Sequence, residues 1–207
     1  MPFVSATLEN DLKKVFKDMK DAGEDASDDD FADGIAAACK AFGESGTVTT
    51  TDVGTVSAGV FTGAGTGTLS LDDSLMASPI KSACSSMKNM TEGGDNVLAT
   101  AIGNALFAMT SAGEVNTNVT GTAIPPSPPP PTVPVAGTAK GTITCVPAPV
   151  ISGLQSAYNS MKNMTEGGDD FLASQMAILI NTYFASGIIA TQGSGALAGS
   201  VGTGAIA

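Results

Sequence analysis

The decapeptide Ser86-Met87-Lys88-Asn89-Met90-Thr91-Glu92-Gly93-Gly94-Asp95 occurs a second time, without a single change, at Ser160–Asp169. The two copies are 74 residues apart. Ten identical residues at a fixed spacing indicate an internal repeat rather than a chance match. A diverged third copy, Met19–Asp25, lies near the start of the chain.

The distance from each copy to the next landmark supports three repeats. From the methionine to the glycine of a following Ser-Gly or Ser-Ala-Gly there are 27 residues from Met19, 26 from Met87 and 26 from Met161. Each unit would be roughly 65–75 residues long, a size that buries a small share of its own surface. We therefore expect the units to share a core or to lean on partner chains.

The composition narrows the classes of function. The net charge is −11, with only nine lysines and arginines, and a surface of this kind does not suit nucleic acid, which needs a basic face. Histidine is absent, which removes the commonest general base and metal ligand. The excess of acidic residues is best explained as a surface that keeps the protein soluble.

The three cysteines do not have the spacing of a metal site, and a disulfide framework is not expected. Cys39 and Cys84 lie in apolar helical patterns and are predicted to be buried thiols. The residues Met1–Val4 lack the basic start of a secretory signal. The apolar stretch Phe171–Ala190 is read as a core helix, because a helix over Phe171–Ala185 spans roughly 22 Å and a bilayer needs about 30 Å.

Apolar residues at three- and four-residue steps predict a pair of helices in each unit. The first pair covers Thr7–Lys20, with Thr7 as a possible N-cap, and a helix from Asp30 to Gly43 or Gly46. The second covers Ser78–Met90, with Pro79 in the first turn, and Asn96–Ser111. The third has inward positions that run from Ile151 to Met164 and from Phe171 to Phe184, with Leu179 among the buried ones. Short connections predict that each pair is antiparallel.

A Thr- and Gly-rich segment follows each pair and reads as β-structure. In the first unit we predict strands at Thr47–Val56, Val60–Thr62 and Thr66–Leu71, with Gly63-Ala64-Gly65 as a turn. Thr49 and Thr51 are placed on the exposed side of an edge strand. Further predicted strands are Val115–Ile124, Val133–Ala136 and Gly141–Val146.

Two segments depart from this plan. Prolines in 125–134 predict a stiff polyproline II loop or spacer, with a ligand for an aromatic groove as the alternative. The tail Ile188–Ala207 is rich in glycine and alanine and would fray alone. We expect it to pair with strands of another unit or of another chain.

No catalytic, cofactor-binding or metal-ligating residue is assigned. Gly63–Gly67 is glycine-rich, but no Gly-Lys-Ser/Thr follows it, so a phosphate loop is not supported. The loop Asp21–Asp30 and the two Thr-Glu-Gly-Gly-Asp loops carry oxygen ligands of the kind that Ca²⁺ prefers, without the order of an EF-hand. Solvated helix connections are the preferred interpretation.

The segment Gly46-Thr47-Val48-Thr49-Thr50, followed by Gly63-Ala64-Gly65-Thr66-Gly67-Thr68-Leu69, resembles small virion accessory proteins encoded among the structural genes of tailed bacteriophages. The resemblance covers the β part of the first unit well and the other two loosely. It implies an assembly component of the particle, and it carries over no catalytic residue.

The sequence thus predicts an α+β fold of three tandem repeats, each an antiparallel helix pair followed by a Thr/Gly-rich β segment. The predicted units are 1–73, 74–146 and 147–207. We expect a non-enzymatic structural subunit of a phage virion, in its head, neck or tail. Its expected partners are copies of itself and other virion proteins, with no cofactor, nucleic acid or membrane. The alternative is an adhesin or fibre module that recognises a host-surface ligand.

Overall fold

A computed structural model describes residues 5–126 and 131–207, and for Glu24 the backbone alone. The described residues form six α-helices and six β-strands, so the mixed helix-and-strand class is confirmed. In chain order the elements are α1 Ser5–Ala22, α2 Asp28–Ser45, β1 Val48–Val56, β2 Gly59–Ser70, α3 Ser74–Met87, α4 Gly94–Ser111, β3 Glu114–Ile124, β4 Val133–Thr144, α5 Ala148–Met161, α6 Gly168–Ala185, β5 Ile188–Gly193 and β6 Ser200–Ile206. Two helices followed by two strands therefore occur three times in succession.

The six strands form one closed antiparallel barrel in the order β1-β2-β3-β4-β5-β6. The barrel closes where β6 pairs with β1, with Val48 opposite Ile206 and Gly54 opposite Ser200. The C-terminal tail thus pairs with strands of the same chain, which decides between the two partners expected for it. Thr49 and Thr51 are exposed as predicted, but the edge-strand assignment is wrong because β1 has a neighbour on both sides.

Two predicted strand breaks are wrong. The glycines taken as a turn, Gly63–Gly65, lie inside β2, which pairs with β3 from Val60 to Ser70. Likewise β4 runs unbroken from Val133 to Thr144. Of the proline-rich insertion predicted at 125–134, residues 127–130 lie outside the described residues.

The narrow barrel explains why glycine sits within these strands. Phe61 points inward from β2 and is fully buried. A Cβ built on Gly63 would lie 2.5 Å from Phe61 Cζ, and one on Gly121 would lie 2.7 Å from Phe61 Cε2. Both positions therefore need glycine, because a side chain there would collide with the aromatic ring. The lack of space inside the barrel thus explains the glycines that resemble a turn in the sequence.

The six helices form a second closed layer. Each packs on its neighbours in the chain, and α1 also packs on α6. Lys88, just after α3, binds Asp28 at the start of α2 at 2.6 Å, and Lys162, just after α5, binds Asp95 in the first turn of α4 at 2.5 Å. The end of one helix thus meets the start of its neighbour, as in antiparallel packing.

One core joins the two layers. Strand residues alternate between inward and outward positions, and each strand gives one buried apolar residue to the core beneath the helices. These six residues are Val48, Leu69, Val115, Ile143, Ile189 and Ile206. A smaller cluster around Phe61 and Leu197 fills the other end of the barrel.

Some helix boundaries differ from the prediction. The N-cap of α2 is Ser27, whose hydroxyl accepts from the Asp30 N–H at 3.0 Å, so this helix begins before the predicted start at Asp30. Helix α3 begins at Ser74, so Pro79 lies in its interior and not in its first turn. The earlier start buries Met76 and Ala77, and Asp72 accepts from the Ser74 N–H at 3.0 Å.

Candidate functional site

Among the described side chains, one carboxyl group lies in the barrel interior, that of Asp52, whose exposed fraction is 0%. It accepts a hydrogen bond from Thr50 Oγ1 at 2.6 Å and a longer one from Thr191 Oγ1 at 3.5 Å. None of the nine lysines, all of which the structure describes, forms an ion pair with Asp52. A buried carboxyl group that is held only by hydroxyl groups is uncommon, because burying such a group without an oppositely charged partner is costly.

Backbone encloses this carboxyl group. A Cβ built on Gly202 would lie 2.3 Å from Asp52 Oδ1, and one on Gly65 would lie 3.1 Å from Oδ2. No side chain larger than hydrogen fits at either position beside the carboxylate. The arrangement links strands β1 and β5 through hydrogen bonds and does not offer a place for a substrate.

Sequence reasoning missed Asp52. Its signal was present, because Val48, Thr50 and Asp52 are two residues apart and must share one face of a strand. Since Val48 is a core residue, the same face carries Asp52 inward.

The glycine-rich and acidic motifs have structural positions. Gly63–Gly67 lies within β2 and not at the start of a helix, as a phosphate-binding loop would require. The two Thr-Glu-Gly-Gly-Asp loops connect α3 to α4 and α5 to α6, and Gly93 and Gly167 take left-handed conformations there, with φ of +82° and +73°. Among the described side chains of residues 5–126 and 131–207, which exclude that of Glu24, no three Cys, Asp or Glu groups lie close enough together to hold a metal ion.

The thiol and phenol groups are held in their neutral forms. All three cysteines are free and buried, as predicted for Cys39 and Cys84. Desolvation raises the pKa of Cys39 to about 12 and that of Cys145 to about 11. Desolvation also raises the pKa of Tyr183, whose hydroxyl lies 2.6 Å from Thr110 Oγ1. A nucleophilic cysteine needs a lowered pKa, so these thiols behave as packing groups.

A groove of about 540 Å³ lies between α1 and α2. Carboxylates of Asp11, Asp18 and Asp30 line it, beside apolar groups of Val15 and Met19. Its described lining residues include no serine, cysteine or tyrosine. The basic side chain among these lining residues is Lys14, whose Nζ forms an ion pair with the Asp18 carboxylate at 3.5 Å.

The outer face of the barrel is dominated by exposed hydroxyl groups. Its charged side chains, Glu114 and Lys140, pair with each other. The outward-facing threonines, called the threonine wall below, are Thr49, Thr51, Thr55, Thr62, Thr66, Thr68, Thr120, Thr122, Thr138, Thr142, Thr144 and Thr203. The helices carry most of the charge, since 12 of the 20 Asp and Glu residues lie within them.

Comparison with models of protein families, with curated proteins and with solved structures gave no match. Among the helices in the described ranges, none combines the length and the apolar character needed to cross a lipid bilayer.

Proposed function

We propose that the chain is a non-enzymatic structural subunit of a bacteriophage virion, a head, neck or tail accessory protein built from three copies of one helix-pair and hairpin unit. Its partners are other virion proteins and further copies of the chain. The resemblance of the Gly46–Thr50 and Gly63–Leu69 segments to virion accessory proteins supplies the link to a phage.

The observation that carries the proposal is the closure of both layers within one chain. The helices form a ring and the strands form a barrel, each from three consecutive pairs. The same pattern of inward residues occurs in β1, β3 and β5. Buried Val48, Val115 and Ile189 are each followed two residues later by a buried threonine. These threonines are Thr50, Thr117 and Thr191. A body of this kind suits a place on or near a rotation axis of a symmetric particle.

The packing favours rigidity over catalysis. Phe184 is fully buried and packs edge-on against Phe42, with ring centroids 6.0 Å apart. The described polar interior consists of hydrogen-bonded side chains, and no buried side-chain nitrogen or oxygen there lacks a partner. Buried groups that are all satisfied leave none aimed at a ligand.

A specific observation favours the alternative, an adhesin. The threonine wall presents many hydroxyl groups on a rigid, nearly uncharged surface, which could recognise a host-surface ligand. Aromatic side chains that often support such recognition are lacking on this face, because the described strands contain only Phe61, which is buried. We therefore rank the adhesin second.

One pair of variants separates the two functions. For a structural subunit, Phe184→Ala should lower stability by about 3–5 kcal/mol and lower incorporation into particles. The double variant Thr49→Ala/Thr51→Ala, on the threonine wall, should leave both unchanged. Thermal unfolding and immunoblots of purified particles measure the two effects. Normal incorporation of the threonine variant with loss of binding to host cells would instead establish the adhesin.

A further inference from the structure

The identity of the two decapeptides stands out against the helices that flank them. Helices α5 and α6 begin and end 74 residues after α3 and α4, so the two helix pairs align without a gap. All ten residues of Ser86–Asp95 match Ser160–Asp169, whereas only five of the other 28 helical positions match. We call these two segments the decapeptide loops. The flanking helices have diverged, so recent duplication does not explain the identity.

The fold requires only part of this identity. Gly93 and Gly167 need their positive φ, Met87 and Met161 pack against the core, and Lys88 and Lys162 form ion pairs with the preceding helix pair. The side chains of Asn89, Met90, Thr91 and Glu92 are exposed, and so are those of the matching residues 163–166. Met90 and Met164 have exposed fractions of 41% and 40%.

The first helix pair shows that a different connection serves the fold. There α1 and α2 are joined through a short 3-10 helix, Gly23–Asp25, and two further residues, with none of the Asn-Met-Thr-Glu sequence. Identical exposed side chains on the other two connections therefore point to an external contact that both loops make in the same way.

The charge around the loops determines the chemistry of the partner. Each loop carries an exposed glutamate, Glu92 or Glu166, and the second loop ends at the exposed Asp169, which Asp170 follows. The facing surface must be basic. A second copy of this chain does not fit, because eight of its nine lysines are already ion-paired within the chain and its net charge is −11.

We propose that the decapeptide loops bind, as an equivalent pair, one partner protein that presents the same basic site twice, as a symmetric oligomer does. The loops lie on adjacent helix pairs, since α4 packs on α5 and Lys162 reaches Asp95. Met90 and Met164 would enter apolar sockets, for which their flexible side chains are suited, while Glu92 and Glu166 meet lysine or arginine. The proposal rests on the proposed assembly function and names its partner class.

Photo-crosslinking in the cells that produce the chain tests this proposal. The full-length chain carries the photoreactive residue p-benzoylphenylalanine in place of Met90 or of Met164. Phe107, an aromatic residue with an exposed fraction of 40% on α4, is the matched control position. We expect the two loop positions to crosslink to the same peptide of one protein, identified by mass spectrometry, and position 107 not to do so. Crosslinks to different peptides, or none from either loop, would overturn the proposal.

Charge reversal tests the equivalence of the loops. Glu92→Lys and Glu166→Lys should each lower the recovered complex to the same extent, and the double variant should lower it by roughly 10²-fold or more, because two linked contacts act together. Ala22→Lys, at an exposed position before the first connection, should have no effect. If one single variant reproduces the whole loss of the double variant, the paired contact is wrong.

The outcome is separable from that of the proposed function. If both loops crosslink to one peptide but the chain is missing from particles, the virion assignment fails and the paired contact stands. If the chain is present in particles and the loops crosslink to unrelated peptides, the paired contact fails alone. Unchanged thermal unfolding of the glutamate variants shows that loss of the complex is not loss of folding.

Discussion

Gly43 offers a stability test in which two physical effects have opposite signs. The residue is buried in the last turn of α2. A Cβ built there would lie 2.7 Å from Phe184 Cζ, 2.9 Å from Phe184 Cε1 and 2.7 Å from Leu71 Cδ1. Alanine forms helix better than glycine, but at this position it must displace a buried ring.

The expected change follows from the balance of these effects. Three heavy atoms lie within 3.0 Å of this Cβ, so overpacking should cost the upper part of its usual range, about 2–3 kcal/mol, and the better helix propensity of alanine returns up to about 1 kcal/mol. Gly43→Ala should therefore lower the free energy of unfolding by about 1–2 kcal/mol. For a chain of this size, the Tm should fall by about 2–8 °C.

Urea denaturation followed by circular dichroism, with a double-mutant cycle, measures the effect. In a Phe184→Ala background the ring is gone and only the contact with Leu71 Cδ1 remains, so Gly43→Ala should cost less than in the wild type, with a coupling energy of about 0.5–3 kcal/mol. Gly168→Ala is the control, because its Cβ would meet only Met161 Cε, at an ordinary 3.5 Å. A Gly43→Ala protein as stable as the wild type, or an additive cycle, would refute the packing argument.

Three further predictions concern the barrel, the thiols and the acidic loops. Asp52→Ala should lower the free energy of unfolding by about 1–3 kcal/mol because two buried threonine hydroxyls lose their acceptor, and Asp52→Asn, which keeps an acceptor, should lose less in urea denaturation. An alanine variant as stable as the wild type would contradict this role. Burial raises the pKa of Cys39 from 9.0 to about 12, so above pH 9 the unfolded chain releases thiol protons that the folded chain retains. The free energy of unfolding should therefore fall as the pH rises from about 9 towards 12, and a constant value there would count against the burial. Titration calorimetry with Ca²⁺ should detect no micromolar site, whereas tight binding removed by Asp95→Ala or Asp169→Ala would show that the loops are metal sites.

Helical periodicity was the part of the sequence that predicted structure best. All six α-helices in the described ranges were expected, because apolar steps of three and four residues identify a buried face directly. Leu179 shows the limit of this signal, since it was expected to be buried and is only half-buried on α6. Its neighbour across the helix interface is Gly153, whose missing side chain leaves room for it.

The strands were harder to predict because glycine has two uses. At Gly63 it makes room for Phe61 inside the barrel, whereas a sequence pattern interprets such a run as a turn. Closure was also hidden, since β1 and β6 lie about 150 residues apart in the chain and no local pattern specifies their pairing.

The candidate sites show a similar division. The sequence drew attention to the decapeptides, but only the structure shows which of their side chains are exposed. The inward position of Asp52 follows from strand alternation once Val48 is known to face the core. Its enclosure by Gly65 and Gly202 depends on three strands that meet only in the folded barrel.

Quantitative mass spectrometry of phage particles would show whether the chain is a component of the virion. Particles would be purified from the native source through a density gradient, with a high-salt wash to remove loosely bound protein. A virion subunit stays in the washed particle, so we expect the chain to remain in a fixed ratio to the major capsid protein. Absence of the chain from washed particles, or a ratio that varies between preparations, would contradict the assignment as a virion component.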